Sequence, residues 1–267
     1  MDTTDAGGVQ IAYHRQGSGP PVVLVHGLGG TSRAIWKHLG PELAREFEVV
    51  AYDLRGAGES ARPQGRYSLD DFVFDLGRLI EQLELERPAL VGHSFGGSVV
   101  LKYAADYPRD VAAVVAVGGP TTLPEQTRQA MRDRAATVEA EGMGTVAETV
   151  ATNGMAPSFR AADPAAFREY VELLAANDVA AYAATCRTIG DLDLEDDLGR
   201  IEAPVLLLGG DQDGVAPPAA QERTAAAIAD AEVVLVPETG HILPWEQPQR
   251  LREEVLRFLR SRMPVAT

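Results

Sequence analysis

Along the chain, short runs rich in Val, Ile and Leu alternate with longer stretches in which apolar residues return every third or fourth position. A short run with no polar face suits a strand buried on both sides. Parallel sheets need such strands, because the crossover helices between them cover both faces. Strands are predicted at Val9–His14, Val22–Val25, Glu48–Tyr52, Ala89–Val91, Val111–Val117, Val205–Leu208 and Val233–Val236. The clearest helix runs from Leu69 to about Leu83. Phe72, Leu76, Leu79, Ile80 and Leu83 share one face of it, and Ser68 with Asp71 forms a capping-box pattern ahead of them. The fold class that follows is α/β, a mostly parallel sheet covered by helices on both faces.

The alternation stops at Pro120. From there to about residue 190 strand-like runs vanish and alanine-rich, charged segments take over, with helices predicted over Pro124–Glu141 and Asp163–Asn177. Two strand-and-helix units follow. The predicted organisation is a core domain over residues 1–119, a helical cap over 120–190 and the rest of the core over 191–267, the cap lying above the C-terminal edge of the sheet. At 267 residues and 45% hydrophobic, the chain is long enough to bury one large core without disulfides or metals.

Charge and cysteine content narrow the function. Lys and Arg total 24 against 39 Asp and Glu, a net charge of −15. A nucleic-acid partner is not expected, since a phosphate-binding surface needs a basic stripe to displace counterions. Cys186 is the single cysteine, so an internal disulfide is impossible. Neither a leader pattern nor a run of about eighteen apolar residues is present, which makes a soluble cytoplasmic protein with no membrane partner the expectation.

The strongest chemical signal is Gly92-His93-Ser94-Phe95-Gly96-Gly97, lying between the apolar run that ends at Val91 and a helical run that begins near Ser98. A serine in so sharp a turn is strained, and small residues two before and two after it let strand and helix approach until its hydroxyl is exposed. That hydroxyl is a weak nucleophile at neutral pH. It needs a histidine to take its proton and usually a carboxylate to hold the histidine. Of the five histidines, His14 lies in an early strand, His38 in a helix, His26 before a glycine loop and His93 beside the serine; His241, after the last strand, is the candidate base. The candidate acid follows the penultimate strand, where Asp213 is preferred at the tip of the turn and Asp211 is its rival. The other acid position, after the preceding strand, reads Gly118-Gly119-Pro120-Thr121 and offers no carboxylate. The main-chain N–H groups of Phe95 and of Leu28, in His26-Gly27-Leu28-Gly29-Gly30, are the candidate oxyanion donors. Phosphate-loop, dinucleotide and H-E-x-x-H patterns do not occur, so no cofactor and no metal is expected.

Across nearly its whole length the sequence resembles the α/β-hydrolase superfamily and, within it, the 3-oxoadipate enol-lactonase-like group. The general resemblance is carried by P-V-V-L-V-H-G-L-G-G at Pro21 to Gly30, D-L-R-G-A-G-E-S at Asp53 to Ser60, G-H-S-F-G-G at Gly92 to Gly97 and G-H-I-L-P-W-E-Q-P at Gly240 to Pro248. The narrower one rests on R-Y-S-L-D-D-F at Arg66 to Phe72, E-G-M-G-T-V at Glu141 to Val146, and Tyr182 to Leu194. The chain departs from that group where Ala151-Thr152-Asn153-Gly154 replaces an E-R-W-F run, and where the elbow reads H-S-F rather than L-S-M. The resemblance implies a serine hydrolase acting on a small-molecule carboxylic ester or lactone through an acyl-enzyme, with Asp53, Arg55 and Ser60 as scaffold. A serine at the elbow argues against dehalogenase and epoxide hydrolase chemistry, which uses aspartate there. Carbon–carbon bond hydrolysis and cofactor-free perhydrolysis stay open, and so does a non-catalytic ligand receptor on the same scaffold. Phe95, Leu28, Trp36 and Ile242 are the expected pocket walls. Arg128, Arg132, Arg134, Arg160, Arg168 and Arg187 of the helical segment are expected to be solvated surface charges, which makes neutral esters or lactones the expected substrates.

Overall fold

The computed structural model describes residues 1–263. Its sheet is built from β1 (Asp2–Asp5), β2 (Gln10–Gln16), β3 (Pro21–Val25), β4 (Glu48–Tyr52), β5 (Ala89–His93), β6 (Ala113–Val117), β7 (Val205–Gly210) and β8 (Ala231–Val236). The strands lie in the order β1-β2-β4-β3-β5-β6-β7-β8. The β1–β2 and β2–β4 pairs are antiparallel, and every pair from β4 across to β8 is parallel. All the predicted strands are present within a few residues of their expected limits. β1 is an addition to them: Asp-Thr-Thr-Asp has no apolar run, and an edge strand open to solvent needs none.

Two stretches of helix flank the early strands, α1 (Ser32–Ile35) with α2 (Gly40–Leu43), and α3 (Leu69–Gln82). The capping box of α3 forms as the sequence predicts, with Ser68 Oγ accepting from Asp71 N–H and Asp71 accepting from Ser68 N–H. After β5 comes α4 (Phe95–Asp106). Between β6 and β7 the chain makes a wholly helical excursion through α5 (Glu125–Glu141), α6 (Ala147–Gly154), α7 (Pro157–Ala162), α8 (Pro164–Ala175) and α9 (Val179–Gly190). Its two ends meet, since Leu194 N–H donates to Thr121 O at 2.8 Å and Thr122 forms an antiparallel bridge with Asp193. α10 (Pro218–Ala226), α11 (Leu243–Glu246) and α12 (Pro248–Arg262) complete the chain as far as it is described.

Because side chains alternate across a strand, each central strand feeds two cores. Val23, Val25, Leu90, Val114 and Leu207 pack with Phe72, Leu76 and Leu79 of α3 and Val99 and Val100 of α4. On the opposite face Val22, Leu24, Val91, Val115, Leu206 and Leu208 meet Val255, Phe258 and Leu259 of α12. Burying each of these aliphatic side chains contributes roughly 1.5–3 kcal/mol before chain entropy is counted. β5, β6 and β7 are buried at every position, which is why their sequences read as unbroken apolar runs. The scaffold residues behave as expected. Asp53 accepts from Ser32 and Glu59 N–H, Ser60 Oγ donates to Asp53 O, and Arg55 forms a buried two-point pair with Asp75 at 2.7 Å.

Strand order creates the functional edge. From β3 the chain steps outward to β4 and then returns past β3 to β5, so the order reverses between β3 and β5. Loops leaving the C-terminal ends of strands at such a point splay apart and leave a crevice.

Candidate active site

The two strands flanking the reversal carry the first parts of the site. Val25 of β3 pairs with Gly92 of β5, so two residues further on Gly27 and Ser94 stand side by side. A Cβ on Gly27 would come within 2.7 Å of Ser94 Cβ. The turn itself tolerates no bulk either: a Cβ on Gly92 would lie 2.2 Å from Gly96 O, and one on Gly96 2.3 Å from Val25 O. Between them Ser94 is held at φ 54°, ψ −124°, outside the regions ordinary residues favour, with its N–H donating to Val117 O at 2.8 Å. That strain lifts the side chain off the sheet edge at the start of α4.

Ser94 Oγ lies 2.8 Å from His241 Nε2, and His241 Nδ1 lies 2.8 Å from Asp213 Oδ2. The chain thus brings together three side chains from the ends of β5, β7 and β8. Asp213 is buried and also accepts from Val215 N–H at 2.7 Å and Ala216 N–H at 2.9 Å through Oδ1. Burial raises its pKa, but His241 and those two N–H groups outweigh it and hold the carboxyl below its usual range. Asp211 sits apart on the surface, where it accepts one long bond of 3.4 Å from Thr239 N–H. Leu28 and Phe95 line the cavity in front of Ser94, and neither main-chain N–H has a main-chain acceptor. The expectation that Trp36 stands at the wall does not hold: it is buried in the core beneath and does not reach the cavity.

Further residues, which the sequence does not single out, fix the histidine. Glu246 is buried and accepts three main-chain N–H bonds, from Gly240 and Ala156 at 2.9 Å and from Ile242 at 3.0 Å. Burial raises the pKa of its carboxyl, the three N–H groups and the His241 ring partly opposing this. His241 N–H donates to Gly154 O at 2.7 Å, and His93 Nε2–H donates to His241 O at 3.1 Å. His93 is itself kept neutral, its pKa pushed down to about 3 by burial. Gly118, in the left-handed region at φ 59°, passes beneath the pair; a Cβ there would come 3.1 Å from both Asp213 Oδ2 and His241 Nδ1. His26 links two loops instead, with Nε2 accepting from Leu54 N–H and Nδ1–H donating to Gly27 O.

A cavity of about 110 Å³ opens on Ser94 and His241. Its wall is shared by the sheet edge (Leu28, Phe95, Ile242) and by the helical excursion (Met131, Val150, Tyr182). Among the described residues no helix is long and apolar enough to cross a membrane.

A model of the alpha/beta hydrolase fold family matches residues 20–248. The chain belongs to the α/β-hydrolase family. It is 28% identical over 255 residues to 3-oxoadipate enol-lactonase 2 of Acinetobacter baylyi, covering 95% of this chain and 94% of that one. A shorter match, 42% identical over 116 residues and 42% of either chain, is to 2-hydroxy-6-oxo-2,4-heptadienoate hydrolase of Pseudomonas putida. Among solved structures, the enol-lactonase from Burkholderia xenovorans LB400 superimposes with a TM-score of 0.92 at 26% identity, covering 97% of this chain and 99% of that one. This enzyme of the α/β-hydrolase family is therefore similar to enol-lactonases in sequence and in fold.

Proposed function

We propose that this α/β-hydrolase cleaves a carboxylic ester or lactone through an acyl-enzyme on Ser94. The observation that carries the reading is the unbroken line from Ser94 Oγ through His241 to Asp213, with both contacts at 2.8 Å. His241 Nε2 takes the hydroxyl proton as Oγ attacks the substrate carbonyl. Asp213 keeps the ring in the tautomer with hydrogen on Nδ1 and favours the imidazolium that forms. Negative charge on the carbonyl oxygen is met by the N–H groups of Leu28 and Phe95, already oriented before reaction. Collapse expels the alkoxide, which takes the proton from His241. A water, deprotonated by the same ring, then releases the acid, or the ring-opened hydroxy acid when the substrate is a lactone.

In this reading residues 120–190 act as a cap that supplies the pocket's second wall, and residues 1–119 with 191–267 form the catalytic core. The local likeness to a dienoate hydrolase gives carbon–carbon bond cleavage by the same serine a second place. Reaction with a fluorophosphonate probe tests the first step: rapid labelling of the wild type and none of Ser94→Ala is expected. Labelling at another residue would overturn the assignment. Hydrolysis of a panel of lactones and esters, with a 2-hydroxy-6-oxodienoate included, separates the two chemistries.

A further inference from the structure

The two candidate oxyanion donors are held by different parts of the molecule. Phe95 N–H belongs to the first turn of α4, whose side chains Phe95, Val99 and Val100 are buried in the core. Leu28 N–H belongs to the turn Gly27-Leu28-Gly29-Gly30, closed by Gly30 N–H donating to Gly27 O at 3.2 Å. Gly29, third in that turn, lies at φ +75°, the conformation a type II turn requires there. Every peptide unit of the turn is trans and planar, so its N–H points opposite to its C=O. Gly27 O and Leu28 N–H are the two ends of one such unit. Whatever grips the oxygen therefore aims the N–H, and two donors grip it: His26 Nδ1–H at 2.8 Å and Gly30 N–H.

Gly30 N–H is in turn one end of the unit whose other end is Gly29 O. That oxygen accepts from Asn177 Nδ2–H at 3.0 Å, across 148 positions of sequence. Asn177 is half-buried in the loop between α8 and α9, and its amide also donates to Leu173 O at 3.0 Å and Leu174 O at 3.1 Å, carbonyls of the last turn of α8. The helical excursion and the turn meet there without slack. A Cβ on Gly29 would come 2.5 Å from Leu174 Cδ2 and 3.3 Å from Tyr182 Cε2. Asn177 thus begins an unbroken series: its amide binds Gly29 O, the same unit's Gly30 N–H binds Gly27 O, and that unit ends in Leu28 N–H. Hydrogen bonds joined through peptide units in this way polarise one another.

We propose that Asn177 is a positioning residue for the oxyanion hole, aiming Leu28 N–H through the Gly29–Gly30 peptide unit at the oxygen that becomes negative when Ser94 attacks. This deepens the hydrolase reading and rests on it for the reaction it serves. One oxyanion donor then belongs to the core, and the other answers to the helical excursion.

Asn177→Asp keeps the shape of the side chain but sets an acceptor against Gly29 O in place of a donor. With methyl butanoate as substrate it should lower kcat about tenfold, less than the roughly 10²–10³-fold loss from deleting an oxyanion donor outright. KM should stay within about twofold. Asn177→Ala should fall between this variant and the wild type. Asp163→Ala controls for the helix itself, because Asp163 caps the opposite end of α8 by accepting from Ala166 N–H at 2.9 Å, and it should leave kcat unmoved. Trifluoromethyl propyl ketone reads the oxyanion without turnover. Ser94 Oγ adds to its carbonyl carbon, the hydroxyl proton passes to His241, and the carbonyl oxygen keeps the electron pair as an alkoxide. Methyl propyl ketone, too weak an electrophile to form that adduct, reports binding of the uncharged carbonyl alone. Asn177→Asp should weaken the fluorinated ketone about tenfold and leave the other unchanged. Equal weakening of both ketones, a kcat loss reproduced by Asp163→Ala, or unchanged kcat with unchanged ketone binding in Asn177→Asp overturns the role. If methyl butanoate is turned over no faster by wild type than by Ser94→Ala while the fluorinated ketone still depends on Asn177, the role stands and the hydrolase reading fails. Neither turnover nor an adduct in the wild type overturns both.

Discussion

The C-terminal edge of the sheet and the helical excursion between β6 and β7 are held to different tolerances. At the edge, main chain touches main chain: a Cβ at Gly92, Gly96 or Gly27 would meet its neighbour at 2.2, 2.3 or 2.7 Å, and strand register sets Ser94 beside Gly27. In the excursion, by contrast, position comes from side chains packed between helices, and several ion pairs there, such as Arg132 with Asp191, are largely exposed. Exposed pairs of that kind contribute about 0–1 kcal/mol each. Reaction chemistry needs the first arrangement, because misplacing reacting atoms by an ångström is costly to rate. Selection of substrate needs only the second, in which one side chain can be exchanged without moving the backbone. Several bonds tie the two regions together: Gly154 O accepts from His241 N–H and Glu246 from Ala156 N–H at the histidine loop, while Asn177 Nδ2 donates to Gly29 O beside the elbow.

If the edge carries the chemistry, Ser94→Ala should lower kcat by on the order of a thousandfold or more while the unfolding midpoint stays near that of the wild type. Near-normal turnover would move the chemistry away from the elbow altogether. The next largest effect separates two residues of one turn. Asp213→Asn should reduce kcat by roughly 10²–10⁴-fold, since the histidine loses the acceptor that fixes its tautomer. Asp211→Asn should cost no more than about 1 kcal/mol of stability, because its one bond is 3.4 Å long. The reverse ranking at saturating substrate would exchange the two assignments.

Glu246→Gln sharpens the comparison at the junction. It keeps the volume but turns one acceptor oxygen into a donor facing main-chain N–H groups, for a loss of about 1–3 kcal/mol in denaturant unfolding. Because Glu246 holds the loop on both sides of His241, kcat should fall alongside. Unchanged stability and unchanged kcat together would show that the loop is held some other way. The smallest effect is one of pH. His93 binds its proton at about pH 3 when folded against an ordinary value of 6.5, so between those limits only the unfolded chain is protonated and stability falls as pH drops. From pH 6.5 to 5.5 this amounts to about 1 kcal/mol, and His26, whose pKa burial also lowers, acts in the same direction. His93→Leu should flatten that slope, whatever it costs at neutral pH through the lost bond to His241 O. An equally steep acid slope would assign the proton uptake elsewhere.

Much of the edge is legible in the order of residues alone. β5 and β6 announce themselves because both their faces are buried, and the Ser94 turn does so because only small residues fit at Gly92 and Gly96. β1 is not legible in this way, since Asp-Thr-Thr-Asp is paired through its backbone and leaves no side-chain pattern. Glu246 stands out only as part of a motif. Nothing local marks a glutamate as buried, and its partners Gly240 and Ala156 are separated by 84 positions in the chain.

What the sequence by itself determined was the class of fold, and it marked the Ser94 turn and His241 as candidates, each through local signals: apolar periodicity, glycines two before and two after a serine, and a short roster of five histidines. Only the tertiary structure set Asp213, and not Asp211, against the His241 ring, and seated Gly118 beneath the two side chains. The reason is the same in every instance. Burial and pairing are properties of what folds against a residue, and around Ser94 and His241 that surrounding is assembled from the ends of strands and helices far apart along the chain.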